Sequence, residues 1–241
     1  MAVRTRWTGG RALPSGARAA REWERWALVR PRDGDATSVH VQVLDPRGVT
    51  PDGVRTLCAT LADQSVRHLV TSAMSPAEAV PFLDAGFRIR VELSLLGRPL
   101  TEAPPRGAAT SRTRDRAAIL ALDRLAFGTD EFDAAALDAA LHATSAVRLR
   151  VFGRGSLPQG YAITGAAGRR GYVQRLAVHP DARRRGVGRA LLVDGLRWAR
   201  RRGAREAVVN TNRENASAWS LYESLGFVEL PTGLVVLERA Q

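Results

Sequence analysis

The segment RRRGVG at residues 183–188 carries the clearest chemical signal in this sequence. It follows alternating apolar residues at Tyr172, Leu176 and Val178, which predict a half-buried strand. Apolar residues at helical spacing follow it, so a helix is predicted to begin at the second glycine. A helix N-terminus exposes unpaired N–H groups and the positive end of the helix dipole, and glycines let a phosphate approach that backbone. The segment therefore predicts a pyrophosphate-binding loop between a strand and a helix.

The spacing of this loop differs from that of a P-loop and from that of a dinucleotide-binding fingerprint. It fits the pattern Q/R-x-x-G-x-G with Arg183 in the first position. A second segment, Asn215 to Tyr222 followed by Leu225-Gly226-Phe227, fits N-x-x-A-x-x-L-Y and GF. The two patterns, separated by a helix and a strand, together resemble the GNAT acyltransferase superfamily. The resemblance covers roughly the last 130 residues.

The resemblance implies an α/β fold of the α+β type, with a central mixed, mostly antiparallel sheet flanked by helices and a central strand that splays from the next one. It also implies acetyl-CoA as the acyl donor. By position, the Leu176 N–H would face the thioester carbonyl and the Val178 N–H the pantetheine arm. The residues that the resemblance places at acetyl-CoA are Leu176, Ala177, Val178, Arg183, Arg184, Arg185, Gly186, Val187, Gly188, Arg189, Asn215 and Tyr222.

Tyr222 is the candidate general acid for the departing thiolate. A phenol with an ordinary pKa of about 10 is protonated at neutral pH and can donate its proton. Packing in the core would also account for Tyr222, and capping of the last helix alone would account for Asn215.

The general base is open. Superfamily members that acetylate lysine commonly carry a glutamate four residues before the position of Leu176, where this chain has Tyr172, and no carboxylate lies between Gly171 and Pro180. The alternatives are a water held by Gln174 or Tyr172, an acidic residue of the junction Asp130–Glu131, or an acceptor amine of low pKa.

Two helices are predicted before the central strand, at Asp115 to Phe127 and at Phe132 to His142. The apolar stripe of the first helix consists of Ile119, Leu120, Leu122, Leu125 and Ala126. The resemblance implies that the junction of the two helices lines the acceptor pocket. Asp130 and Glu131 of this junction are candidate acceptor contacts, although acidic residues near a helix N-terminus are also favoured by the dipole alone.

The N-terminal half repeats the order strand, helix, strand, helix, GF, strand. Its periodicity predicts a helix at Pro51 to Ala62, a strand at His68 to Thr71, a helix begun by Ser75-Pro76 and a strand at Arg88 to Leu96. When the two GF dipeptides are aligned, Phe82 takes the place of Tyr222 and Ser75 that of Asn215.

We therefore predict tandem GNAT-like domains: a degenerate one at 1–100 that lacks the cofactor loop, a linker at 101–111 and a catalytic one at 112–241. An unrelated α/β domain with a chance GF match is the alternative for the first half.

The composition limits which classes of binding partner are expected. The formal net charge is +12, and all 36 basic residues are arginines scattered along the chain, which favours a solvated surface over a nucleic-acid site. The only cysteine is Cys58, and the four histidines lack metal-ligand spacing, so no metal site is predicted. There is no long apolar run and no signal peptide pattern, and we expect a cytoplasmic, high-GC bacterial protein without a membrane partner.

The sequence thus predicts an N-acetyltransferase that moves an acetyl group from acetyl-CoA to a primary amine by direct attack. A protein N-terminus and a small-molecule amine are both candidate acceptors, and monomer and homodimer are both compatible states. The alternatives are a non-catalytic CoA-binding sensor or scaffold and, less favoured, a basic nucleic-acid-binding protein.

Overall fold

The computed structural model describes residues 23–32, 35–102, 110–111, 113, 115–128, 131–153 and 158–241. In chain order the strands and helices are β1 (Ala27–Arg32), β2 (Asp35–Val43), α1 (Pro51–Ala62), β3 (His68–Thr71), α2 (Pro76–Leu83), β4 (Arg88–Pro99), α3 (Arg116–Phe127), α4 (Ala134–His142), β5 (Ala146–Phe152), β6 (Gly160–Ala167), β7 (Arg170–Val178), α5 (Val187–Arg201), β8 (Glu206–Thr211), α6 (Ala216–Glu223), β9 (Val228–Glu229) and β10 (Leu234–Ala240). No described helix is long and apolar enough to cross a membrane.

The described residues up to Leu93, with Thr232–Gln241, form one compact unit, and those from Ser94 to Pro231 form a second. In the first unit β1 and β2 are antiparallel, β2 and β3 are parallel, and β10 lies between β3 and the first half of β4. The helices α1 and α2 fill its core with fully buried side chains such as Leu57 and Phe82. The predicted bounds of α1 and β3 are confirmed.

The N-terminus of α1 is closed by side chains of its own unit. The Thr50 hydroxyl caps it, accepting the Gly53 N–H at 3.1 Å. Trp26 is only 2% exposed. A Cβ atom on Gly53 would lie 3.6 Å from its indole ring. The Thr50 cap engages one of the first amides of α1, and Trp26 packs against the same turn, which favours the prediction that this half lacks a cofactor loop.

The second unit is built on β5, β6 and β7, which run antiparallel to their neighbours in that order. β8 is parallel to β7 and antiparallel to the second half of β4, which also pairs with β9. Because successive side chains of a strand face opposite sides, Ile163 packs with α3 and α4, whereas Thr164 lies against Gly195 of α5. This unit therefore has helices on both faces of its sheet.

The division into compact units falls at other residues than the predicted domain limits of 1–100 and 112–241. The division falls inside β4. The first half of this strand, Arg88–Leu93, pairs with β10, and the second half, Ser94–Pro99, pairs with β8. The final strand β10 pairs with β3 and β4 and so belongs to the first unit. The described residues of the predicted linker, 101–102 and 110–111, lie within the second unit, where Ser111 exchanges hydrogen bonds with Val151 of β5. Residues 103–109 of this linker lie outside the described residues.

An ion pair on the α5 face gives a stability prediction. Arg148 of β5 binds both oxygens of Asp194 of α5, at 2.7 and 3.0 Å. Burial alone would raise the pKa of Asp194, but the hydrogen bonds and charge of Arg148, with the charge of Arg150, outweigh it and hold that pKa below its usual value. A carboxyl with a depressed folded-state pKa adds stability above its unfolded pKa of about 3.9, and this is lost as the pH falls through the folded-state pKa.

We therefore expect Asp194→Asn to lower the free energy of unfolding by about 1–3 kcal/mol at pH 7. The deficit should shrink as the pH falls below about 4 and the wild-type carboxyl becomes protonated. Urea unfolding of both proteins at neutral and acidic pH measures this difference. A deficit that is constant with pH would contradict the account.

Candidate functional site

The central strand β7 separates from β8 after a short contact. The parallel pairing covers only Arg170–Tyr172 against Glu206–Val208. On its other side β7 stays paired with β6. In this pairing Val173 is the partner of Thr164 and Arg175 is the partner of Ile163. Gln174 therefore has no partner on β6 and is an extra residue in β7. An extra residue of this kind is a β-bulge, which bends a strand locally. The splayed central strand predicted from the sequence is thus confirmed.

The splay leaves two backbone amides of β7 directed away from β6. The His179 N–H donates to the Gln159 carbonyl at 2.8 Å and continues the β6 side of the strand. Amides alternate in direction along a strand, so the N–H groups of Leu176 and Val178 point to the opposite side, where β8 has diverged. The side chains of these two residues pack in a small apolar cluster with Val187 and Leu191, while that of Ala177 is buried on the other face. The strand therefore offers two donors to a ligand in the splay.

The loop after β7 ends in an uncapped helix. Arg184 and Gly186 adopt left-handed conformations, with φ of +61° and +79°. A Cβ atom on Gly186 would have nothing within 4 Å, so the space above this residue is open. The helix α5 begins at Val187, and no side chain of the described residues caps it. Its first amides and its positive dipole end therefore face that open space.

The charge of the loop is positive. Arg183, Arg184 and Arg185 are exposed and form no ion pair with any carboxylate of the described residues. Arg189, one turn into α5, donates to the Ser224 hydroxyl at 3.2 Å. Gly188 lies close to α6, since a Cβ atom there would be 3.2 Å from Leu221. Uncapped amides beside guanidinium groups form a donor set that suits the diphosphate and 3′-phosphate of a CoA ester.

The two residues predicted at the last helix have well-defined surroundings: Asn215 precedes α6, and Tyr222 lies on it. Asn215 caps the helix, accepting the Ala218 N–H at 3.1 Å, so its capping role is observed. Tyr222 is 5% exposed and its ring centroid lies 5.7 Å from that of Phe227. Burial raises the pKa of Tyr222 to about 12. The phenol is therefore protonated throughout the neutral range, as a proton donor must be.

The structure describes three of the four candidate acceptor residues. The Glu131 carboxylate forms an ion pair with Arg124 at 2.7 Å, and Asp130 lies outside the described residues. Tyr172 of β7 is half-buried and stands opposite Gly165 of β6. The Gln174 Oε1 atom is buried and has no hydrogen-bond partner among the described residues. Gln174 thus has an acceptor atom to offer to a bound donor.

Sequence reasoning missed a buried charge under α3 and α4. The Asp123 carboxylate is 0% exposed. It accepts hydrogen bonds from Arg175 Nε at 2.8 Å and Nη2 at 2.7 Å, and also from the Tyr161 hydroxyl and the Phe132 N–H. The Arg175 guanidinium carbon lies 3.4 Å from the ring centroid of Phe127 and 4.1 Å from that of Phe132.

The helical periodicity of α3 could have indicated that this charged residue is buried. Asp123 is four residues after Ile119 and so falls on the same buried face. The predicted apolar stripe included Leu125 instead, and this was wrong, because Leu125 is 50% exposed. A charged residue on an apolar face could have been identified, but its partners are distant in the sequence.

Comparison with known proteins matches residues 133–227 to the acetyltransferase (GNAT) family. A mycothiol acetyltransferase of Acidothermus cellulolyticus is 41% identical over 86 residues, which are 34% of this chain and 26% of that protein. The match thus spans about a quarter of the length of this relative.

Two solved structures share the fold over most of the chain. A GCN5-related N-acetyltransferase from Sphaerobacter thermophilus has a TM-score of 0.58 at 16% identity, over 89% of this chain and 76% of that one. A tandem GNAT protein from the clavulanic acid biosynthesis pathway has a TM-score of 0.58 at 16% identity, over 89% and 79%. They confirm the mixed α/β fold predicted from the sequence.

Proposed function

Since residues 133–227 match the acetyltransferase (GNAT) family, we propose that the chain transfers an acetyl group from acetyl-CoA to a primary amine by direct attack. The observation that carries this proposal is the splayed strand β7, whose free side leads directly into an uncapped helix N-terminus flanked by arginines. We also propose that the protein is located in the cytoplasm, as expected from the sequence.

The donor site would be formed largely by backbone. Acetyl-CoA supplies the activated acetyl group when it is bound. The Leu176 N–H would donate to the thioester carbonyl oxygen and stabilise the negative charge that develops there. The Val178 N–H would hold the pantetheine arm. The first amides of α5 and the exposed guanidinium groups of Arg183, Arg184 and Arg185 would bind the phosphates.

Tyr222 would act as the general acid. Its hydroxyl would give its proton to the departing thiolate, so that CoA is released as the thiol. The raised pKa of Tyr222 keeps this proton in place at neutral pH. Removing a proton from the amine needs a base or a bound water. Because Arg124 already engages Glu131, a water held by Gln174 or Tyr172 is the better candidate.

The acceptor class follows from the relatives rather than from the site. Curated relatives are named mycothiol acetyltransferases, so we propose a small-molecule amine as the acceptor and the unacetylated amine related to mycothiol as the first compound to test. An N-terminal peptide amine is the second candidate. We further propose that the N-terminal half is a degenerate copy, since Thr50 caps and Trp26 packs against the helix start that corresponds to α5.

A non-catalytic CoA-binding sensor or scaffold is the competing function. The absence of a carboxylate between Gly171 and Pro180 favours it, and the protonated phenol of Tyr222 favours catalysis.

Thermal-shift titration of the full chain with acetyl-CoA, CoA and NADPH tests the donor site. A ligand that binds only the folded protein at 100 times its Kd stabilises it by about 2.7 kcal/mol, or about 5–10 °C in Tm for a protein of this size. We expect this shift with both CoA compounds and little with NADPH, which has a diphosphate but no pantetheine. No shift with either CoA compound, or an equal one with NADPH, would contradict the proposal.

A further inference from the structure

The ion pair between Asp123 of α3 and Arg175 of β7 has no role in the binding and proton-transfer steps proposed above. Its carboxylate accepts four hydrogen bonds, two from Arg175 and one each from the Tyr161 hydroxyl and the Phe132 N–H. The donors lie on β6, on β7 and at the start of α4. One buried carboxylate therefore holds together three separate parts of the second unit.

Stability alone is a poor explanation for this arrangement. Moving two charges from water into a protein interior is costly, and apolar residues of similar size would often serve stability as well. A bidentate guanidinium–carboxylate pair supplies fixed geometry instead, because its two parallel hydrogen bonds allow one mutual orientation. The stacking of Arg175 on Phe127 and Phe132 adds a further constraint on the same guanidinium.

The position of the pair relates it to the reaction. Arg175 immediately precedes Leu176, whose N–H is directed into the splay, and it follows the bulge residue Gln174. Phe127 ends α3 and Phe132 lies just before α4, next to the acceptor candidate Glu131. The pair thus links the strand that would bind the thioester to the segment that would meet the amine.

We propose that Asp123 and Arg175 are positioning residues, which fix the α3–α4 junction against β7 so that the acceptor amine is aligned with the thioester held at Leu176. The inference rests on the proposed acetyltransferase function for its kinetic consequence. Its structural part, that the pair orders the junction, can be measured independently of any acceptor. Misplacement by about 1 Å can lower the rate of an enzyme by about 100-fold.

Arg175→Gln tests the proposal against a matched control, Arg148→Gln. Arg148 also forms a bidentate pair with a mostly buried carboxylate, that of Asp194, but on the other face of the sheet. A double variant, Asp123→Asn/Arg175→Gln, removes both charges; the Asn oxygen can still accept from the Phe132 N–H, and its NH2 group can donate to the Tyr161 hydroxyl oxygen. If Arg175→Gln alone leaves the Asp123 carboxylate buried without its partner and so prevents folding, the double variant still allows the measurement.

For both Arg175 variants we expect hydrogen exchange to accelerate at residues 127–134 and the acetyl-CoA thermal shift to be retained. With an amine found by screening, kcat should fall about 10- to 100-fold and the acceptor KM should rise, while the KM for acetyl-CoA changes less than about twofold. Arg148→Gln should lower Tm but leave kcat and exchange at 127–134 unchanged.

Unchanged exchange at 127–134 in the Arg175 variants would overturn the inference, and so would an equal loss of kcat in Arg148→Gln. If the wild-type protein acetylates no amine, the proposed function fails, and the exchange comparison alone then decides whether the pair orders the junction.

Discussion

Gly186→Glu is expected to abolish the stabilisation of this protein by acetyl-CoA while leaving the chain folded. The new carboxylate would stand at the N-terminus of α5, where the diphosphate is proposed to bind. A Cβ atom at this position meets nothing within 4 Å, so the substitution causes no clash. The left-handed conformation, with φ of +79°, costs about 1–2 kcal/mol for a residue with a side chain. We expect the Kd for acetyl-CoA to rise at least about 100-fold, or about 2.8 kcal/mol.

Gly203→Glu is the matched control for this variant. Gly203 also has a positive φ, +92°, and a Cβ atom there also meets nothing within 4 Å. It follows the C-terminus of the same helix, which has 15 residues and is therefore about 22 Å long. Both variants should remain folded, Gly203→Glu with the larger loss of stability because its carboxylate meets the negative end of the helix dipole, and only Gly186→Glu should lose acetyl-CoA binding in calorimetric titration. Wild-type affinity in Gly186→Glu would exclude the loop as the phosphate site.

Tyr222→Phe should lower kcat by about 100-fold and leave the Kd for acetyl-CoA unchanged, because only the proton donor for the thiolate is removed. The ring would still pack against Phe227, and the loss of one hydroxyl should change the free energy of unfolding by less than about 1.5 kcal/mol. Steady-state rates with a saturating amine, measured beside Tm, separate these effects. A kcat within twofold of the wild type would leave Tyr222 as a core residue only.

The pH dependence of kcat gives a second check on Tyr222. A general acid acts while it is protonated and loses its function as the pH rises through its pKa. Since burial raises the pKa of Tyr222 to about 12, its ionisation should not reduce kcat below about pH 11. A falling limb near the ordinary phenol pKa of about 10 that disappears in Tyr222→Phe would show that the phenol is not desolvated as described.

Much of the fold was predictable because its signals are local. Thr50 and Pro51 mark the start of α1, and Ser75 forms a full capping box with Glu78 at the start of α2. The glycines of the loop and the cap at Asn215 are likewise specified by a few adjacent residues. These features depend on backbone conformation within one turn, which sequence patterns describe well.

Other features depended on partners far away in the chain. The composition of β4 does not reveal that its halves pair with β10 and β8, since register over long separations leaves no local pattern. The pairing of Asp123 with Arg175 joins residues 52 positions apart. A buried carboxylate is compatible with the sequence only through such a partner, and the partner becomes evident only in three dimensions.

Transfer of the acetyl group itself is the most direct test of the central claim. The wild-type chain would be incubated with isotope-labelled acetyl-CoA and a panel of primary amines, including the amine related to mycothiol and N-terminal peptides. Mass spectrometry would then follow the label, with Gly186→Glu as the inactive control. We predict label on at least one amine, with one free CoA thiol released for each acetyl group transferred. Binding of acetyl-CoA without transfer to any amine above the Gly186→Glu rate would contradict catalysis and leave a CoA-binding sensor.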